Sequence, residues 1–384
     1  MKLQAALAYA ALDAAITTVA SGNKIGLCCM ECTATSYIPF ATAASWAYRY
    51  NLFIDDTEAA SWMASSSVEF VPHLAHKKVP LPNGACTLDS SSTTPSVPLC
   101  TASMLDAALQ SKNNQGVTMK YLMGFNEAYD HSGSKAKKKY IAPADAAKYW
   151  RMYFQGLAAR NGNLTLVSPT TGVTKGKLEW FGDMLLACYD QRSKGCDVET
   201  IKAFSVHDYK CGESYWRSNY GVNGTFQQNL KSYLGAGSSS RAVHAHAQMD
   251  EIDEIVMDWD NYVNERKIWV TETNCNGDYG YPPPPTSQLP GRSEQCARIT
   301  GQRADALCGN KKSYGNIDKR CGIGSIATLE SLVTVARISW WNTHQTNKNN
   351  STKTFDAMLV SATGELYPAG KAIANGLERT TDCS

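Results

Sequence analysis

The sequence has almost no excess of charge of either sign. Against 37 Lys and Arg stand 35 Asp and Glu, a formal net charge of +2 over 384 residues. That balance excludes the basic stripe by which a domain holds nucleic acid or an anionic membrane surface, so neither partner is expected. Charged residues are scarce at 19%, whereas 43% of the chain is hydrophobic, which suits a large buried core and excludes a disordered chain. Beyond the N-terminal segment no run of 18 apolar residues occurs, so no membrane-spanning helix is expected. Several catalytic signatures are also missing. There is no G-x-G-x-x-G after the first strand candidate, no G-x-x-x-x-G-K-[ST], no H-E-x-x-H and no G-x-S-x-G. These absences remove the grounds for dinucleotide, nucleotide, metalloprotease and α/β-hydrolase chemistry.

Cysteine, in contrast, is abundant. Thirteen are spread over the chain without the paired C-x-x-C blocks of a zinc ribbon, which points to an oxidising compartment and disulfides. With an odd number at least one cannot pair internally. Cys86 with Cys100 and Cys188 with Cys196 are the expected local bridges, and Cys383 is a candidate to return to Cys28, Cys29 or Cys32. The start, with Lys2 and an Ala/Leu-rich stretch ending in small residues near Ala20, reads as a signal peptide over residues 1–20. The mature domain then covers 21–384. Acceptor sequons at Asn163, Asn223, Asn349 and Asn350 agree with secretion.

Eight short apolar, β-branched and aromatic bursts read as strands: 24–28, 45–51, 68–74, 120–126, 164–170, 203–209, 267–273 and 336–342. Their nearly continuous apolar character suits parallel strands covered on both faces. Helical patterns fall between them, at 104–109, from Pro143 to Gly162, and at 180–189, 226–234, 252–263 and 326–335. The alternation predicts a single (β/α)8 TIM barrel, with an open doubly wound sheet as the alternative. Residues 80–100 and 274–322 read as inserted loops stapled by cysteines.

In such a barrel the active site lies at the carboxyl ends of the strands. There the sequence places Asn126-Glu127 after the fourth strand, His207-Asp208-Tyr209 after the sixth, Thr271-Glu272-Thr273 on the seventh and Trp340-Trp341-Asn342 on the eighth, while the third carries Glu69. One carboxylate after a strand is commonly a solvated loop residue. Two, Glu127 and Glu272, on strands that face each other across the barrel mouth, can act on one glycosidic bond, one giving a proton to the leaving oxygen and the other attacking carbon or activating water. Asn126 can bond a sugar hydroxyl or cap a turn. His207 and Tyr209, two apart and so on one side of their strand, can steady a carboxylate or fill the barrel. Trp341, Trp46, Tyr48 and Tyr129 are the aromatic candidates for stacking on sugar. His244, His246 and Asp250 lack a third ligand at usual spacing, and neither a metal nor a cofactor is expected.

The segments SWAYRYN (45–51), EFVPHL (69–74), LMGFNEA (122–128), SVHDY (205–209), IWVTET (268–273) and ISWWN (338–342) resemble, in family order, the blocks of glycoside hydrolase family 128, the Asl1-like catalytic domain. The resemblance implies a secreted endo-β-1,3-glucanase acting with retention, Glu127 as general acid/base and Glu272 as nucleophile. It also implies sugar contacts from Asn126, His207, Tyr209 and Trp341. The chain departs from the family pattern at Ala128, where Pro is expected. A polysaccharide substrate and a monomeric enzyme are therefore expected. A glucan-remodelling transglycosylase and a non-catalytic carbohydrate-binding barrel are the alternatives.

Overall fold

The computed structural model describes residues 24–28, 38–40, 43–89, 97–130, 140–162, 164–208, 213–245, 257–273 and 332–340. All eight expected strands form: β1 (Ile25–Cys28), β2 (Trp46–Tyr48), β3 (Glu69–Val71), β4 (Tyr121–Met123), β5 (Thr165–Val167), β6 (Ile201–His207), β7 (Lys267–Thr273) and β8 (Val335–Trp340). They pair in parallel in the order β3-β2-β1-β8-β7-β6-β5-β4. The two ends meet where His73 bridges Met123, with Leu74 N–H donating to Met123 O at 3.1 Å and Met123 N–H to Pro72 O at 2.9 Å. The result is a nearly closed (β/α)8 barrel, as the alternation of elements predicts.

The helices follow from the same patterns. Helix α1 (Thr57–Ser65) starts at Asp56, whose carboxylate caps the Ala59 N–H at 2.6 Å, and α2 (Ala102–Leu109) starts at Thr101. Pro143 opens α3 (Pro143–Tyr149), which continues through a π turn at Trp150–Phe154 into Gln155–Arg160. Helices α4 (Lys175–Asp190), α5 (Glu213–Tyr220), α6 (Thr225–Ala245) and α7 (Trp259–Glu265) complete the described set. The helix expected over 326–335 is contradicted at its end, where Val335 pairs with Ile268 as the first residue of β8. The rest of that stretch up to 331, like 252–256 and the insert at 274–322, lies outside the described residues.

Alternation along the short strands divides the apolar residues into two cores. Leu27, Ala47, Phe70, Leu122, Leu166, Phe204, Ile268 and Ile338 face the helices. Cys28, Trp46, Tyr48, Val71, Met123, Val167, Ala203 and Trp269 fill the barrel. Gly26 makes room for that filling, because a Cβ there would stand 2.2 Å from the Trp46 indole. Low in the barrel the Arg337 guanidinium lies 4.5 Å from the ring centres of Tyr121 and Trp269 and 5.3 Å from that of Trp46. It bonds Glu69 Oε2 at 2.6 Å, and Glu69 Oε1 accepts the Lys120 N–H at 3.1 Å.

The insertion at 80–100 is more ordered than a loop. Lys78–Leu81 and Gly84–Thr87 form an antiparallel hairpin, tied by the Cys86–Cys100 disulfide. Cys188–Cys196 is the second bridge, also as expected. Cys28, a candidate partner of Cys383, is instead a buried thiol, whereas Cys29, Cys32 and Cys383 lie outside the described residues. Among the described residues no helix is long and apolar enough to cross a membrane.

Candidate active site

Glu127 reaches the barrel mouth through a compact turn after β4. Gly124 N–H donates to Val167 O at 3.0 Å, and a Cβ on Gly124 would stand only 2.5 Å from the Pro169 nitrogen, so the two strand ends approach as only glycine allows. Asn126 N–H is then held by Ala75 O at 2.8 Å, and Glu127 adopts a left-handed backbone, φ 47°. For a residue with a side chain this conformation costs about 1–3 kcal/mol, and such strain concentrates at functional sites.

Glu272 is aimed by a different device. In β7 one extra residue separates Val270, which pairs with Val206, from Glu272, which pairs with His207. The same excess appears against β8, where Val270 faces Ile338 and Thr273 faces Trp340. This is a β-bulge, and it turns Glu272 toward the barrel axis beside His207, where a regular pleat would put Thr271. The displaced Thr271 is fixed on both sides. Its carbonyl accepts the Tyr48 hydroxyl at 2.7 Å and its Oγ1 meets Ser205 Oγ at 2.7 Å, which in turn meets Thr170 Oγ1 at 2.8 Å.

Between the two glutamates stands His207. Its Nδ1 is 3.1 Å from Glu127 Oε1 and its Nε2 is 3.1 Å from Glu272 Oε1. Two phenols complete the arrangement. Tyr129 donates to Glu127 Oε1 at 3.3 Å, and Tyr50 donates to Glu272 Oε1 while its oxygen lies 3.4 Å from the Cys28 thiol. Burial, reinforced by the Glu127 carboxylate, pushes the Tyr129 phenol well up. Burial, then the neighbouring Cys28 and Glu272, does the same for Tyr50. Burial and Glu272 raise the Cys28 thiol as well. All three remain protonated near neutral pH and therefore act as donors. Lys177 Nζ lies 4.8 Å from the centre of the Tyr129 ring, over its face.

Of the residues expected at the site, Glu127, Glu272, His207, Tyr129 and Asn126 converge at the mouth. Asn126 is buried with its Oδ1 lacking a hydrogen-bond partner among the described residues, an acceptor suited to a substrate hydroxyl. Trp46 and Tyr48 require correction as stacking platforms. Both are fully buried, Trp46 donating to Lys24 O at 3.0 Å and Tyr48 to Thr271 O, so their rings pack the barrel. Glu69 also requires correction, since as the first residue of β3 it sits at the amino end and is committed to Arg337 and Lys120. Tyr209 and Trp341 lie outside the described residues, as do His246 and Asp250. Among the described residues no three His, Cys, Asp or Glu side chains form a group that could hold a metal ion. Tyr50 and Cys28 were missed. The i, i+2, i+4 spacing of Trp46, Tyr48 and Tyr50 was the available signal, because it puts all three on one face with Tyr50 nearest the mouth.

Residues 33–220 match the family model described as the glycosyl hydrolase catalytic core. The chain carries the catalytic core of a glycosyl hydrolase. The hydrolase is also similar to solved structures of glycoside hydrolase family 128, the family its motifs resemble. A subgroup II endo-β-1,3-glucanase from Sorangium cellulosum is 18% identical, with 91% of this chain and 97% of that one covered and a TM-score of 0.50. Another from Pseudomonas viridiflava is 17% identical, with 91% and 96% covered and a TM-score of 0.49. A subgroup VII oligosaccharide-binding protein from Trichoderma gamsii is 15% identical, with 93% and 94% covered and a TM-score of 0.44. At these identities the likeness is one of fold. No curated protein matches the hydrolase.

The Tyr50 hydroxyl donates directly to Glu272 and can be removed without emptying the site. Tyr50→Phe is expected to lower kcat by about 10-fold, the order of one hydrogen bond to a charged group. Steady-state kinetics with unchanged melting temperature would establish it, and an unchanged kcat would show that Glu272 needs no help from this phenol.

Proposed function

We propose that the hydrolase cleaves β-1,3-glucan internally by double displacement, as a secreted monomer. The observation that carries the reading is a single buried imidazole between two carboxylates delivered from β4 and β7 to the carboxyl end of the barrel. One ring nitrogen of the imidazole stands beside each carboxylate, so His207 can hold both side chains in place while one serves as acid and the other as anion, the division of roles that a two-carboxylate glycosidase requires.

In the first step Glu127 gives its proton to the glycosidic oxygen as the bond to the anomeric carbon breaks, and Glu272 closes on that carbon to form a glycosyl ester. In the second, the Glu127 carboxylate takes a proton from water, the water oxygen attacks the same carbon, and Glu272 leaves as a carboxylate. Asn126 Oδ1 is available to a sugar hydroxyl beside the reacting carbon, a bond that strengthens as positive charge develops there. The two disulfides agree with an oxidising compartment. The near-neutral charge agrees with an uncharged polysaccharide.

Digestion of linear β-1,3-, mixed β-1,3/1,4- and β-1,4-glucans tests the reading. Oligosaccharides of intermediate size should appear from the β-1,3 polymer, and the first product seen by proton NMR should be the β-anomer. Release of glucose alone would make the enzyme exo-acting, and an α-anomer would make it inverting. Binding without new reducing ends would make the barrel a carbohydrate-binding protein.

A further inference from the structure

A second concavity lies beside the catalytic mouth. It has a volume of about 300 Å³ and is lined by Lys77, Asp89, Tyr140, Asp145, Lys148 and Tyr149, among others. One wall is the base of the stapled hairpin, where Leu88 N–H closes onto Lys77 O at 2.8 Å and Lys77 pairs with Asp89 at 3.2 Å. The other wall is the first turns of α3 and the residues before it. This wall is tied directly to the acid/base segment, because Ile141 N–H donates at 2.9 Å to the carbonyl of Ala128, the residue after Glu127. Trp180 Nε1 in turn donates to Ile141 O at 2.8 Å and holds the wall from behind.

The lining chemistry selects a ligand class. Two ammonium donors and two carboxylate acceptors cancel in charge, so the cleft offers no net attraction to an anion or a cation, yet it presents hydrogen-bonding groups of both kinds and two phenol rings. Tyr149 shares this lining with both carboxylates, and burial, aided by Asp89 and Asp145, raises its phenol to about 12, so it stays a donor. Paired donors and acceptors beside aromatic faces are what a neutral polyol with an apolar C–H face requires. The volume falls at the lower end of the range for ligand sites, about 300–1,000 Å³, so it suits one ring and not a chain.

We propose that this cleft is a distal subsite that takes one neutral sugar unit of an extended glucan, on the side of the mouth where Glu127 meets the leaving group. The inference rests on the proposed function and specifies how that site is extended. The stapled hairpin is then a substrate-binding element: it holds Lys77 and Asp89 opposite α3 at the position a longer chain reaches.

The test is the double variant Asp145→Ala/Lys148→Ala, at two exposed positions of α3 whose loss leaves the packed face of the helix intact. With β-1,3-linked gluco-oligosaccharides of increasing length, KM for the longest should rise about 10-fold at constant kcat, whereas the shortest oligosaccharide cleaved should be processed as by the unaltered enzyme. An equal change at every length, or no change at any, would overturn the subsite. Should the unaltered chain cleave no β-1,3-glucan, the proposed function fails on its own. Calorimetric titration of a β-1,3-linked glucohexaose into the unaltered chain and the double variant then decides the cleft: weaker binding by the variant supports it, and equal affinity or no binding by either overturns it.

Discussion

Glu127→Ala and Glu272→Ala should both destroy glucan cleavage, but they should fail in different ways. Without Glu127 the leaving sugar departs unprotonated, and kcat on glucan should fall by about 10²–10⁴, the usual worth of a general acid. An aryl glycoside whose leaving group needs no proton should still form the glycosyl ester. Added azide should then intercept that ester and give a β-glycosyl azide. Without Glu272 no ester forms, so azide should rescue no β-product and the loss should be about 10⁴-fold or more on every substrate, as for other nucleophile deletions. An α-glycosyl fluoride offered to Glu272→Ala mimics the missing ester, and transfer to an acceptor sugar without hydrolysis is the expected outcome. Near-normal turnover by Glu272→Ala, or an azide product from Glu272→Ala and none from Glu127→Ala, would reverse or remove the assigned roles.

Glu69→Ala should act on stability and leave chemistry alone. The Glu69 carboxylate is buried beside Arg337, which is itself enclosed by Trp46, Tyr121 and Trp269. Removing it leaves a guanidinium in the barrel with three rings and no counter-charge, a change that typically costs 3–5 kcal/mol. Chemical denaturation should therefore show a clear loss of stability, while kcat per folded molecule stays within about 2-fold of the parent, because the pair lies at the opposite end of the barrel from the glutamates. Glu69→Gln retains an acceptor for Lys120 N–H and should be milder. A large fall in kcat with unchanged stability would return Glu69 to the active site.

These two sets of carboxylates also mark what could be read from the sequence. Eight strand-like bursts, the helix opened by Pro143 and the local spacing of Cys86–Cys100 and Cys188–Cys196 carry enough local information to be found, because propensity, period and loop length act within a few residues. A burst of apolar residues does not say where the hydrogen-bonded strand begins or which rings the barrel encloses. Glu69 is the first residue of β3, and Trp46 and Tyr48 are the first and last residues of β2, their rings packed inside the barrel. Tyr50, two residues past β2, is the member of that face which reaches Glu272. The hairpin at Lys78–Thr87 was hidden by Pro80 and Pro82, which argue against a strand. Pro80 sits on a two-stranded ribbon with no third strand to require its missing N–H. The bridging position of His207 depends on contacts across 80 and 65 residues of chain, and no local pattern reports such distances.

The bulge in β7 makes the inward placement of Glu272 a matter of parity. Upstream of it, odd-numbered Trp269 points inward, whereas downstream even-numbered Glu272 does. Every functional group carried by the strand beyond Val270 thus depends on a residue count and not only on residue identity. Insertion or deletion of one residue before Glu272, even of a conservative threonine, would exchange the inward and outward sets and present the helices with a carboxylate. Two such changes would restore the order. Length variation in this strand is therefore constrained to even steps, while the loops at either end of it are free of that rule.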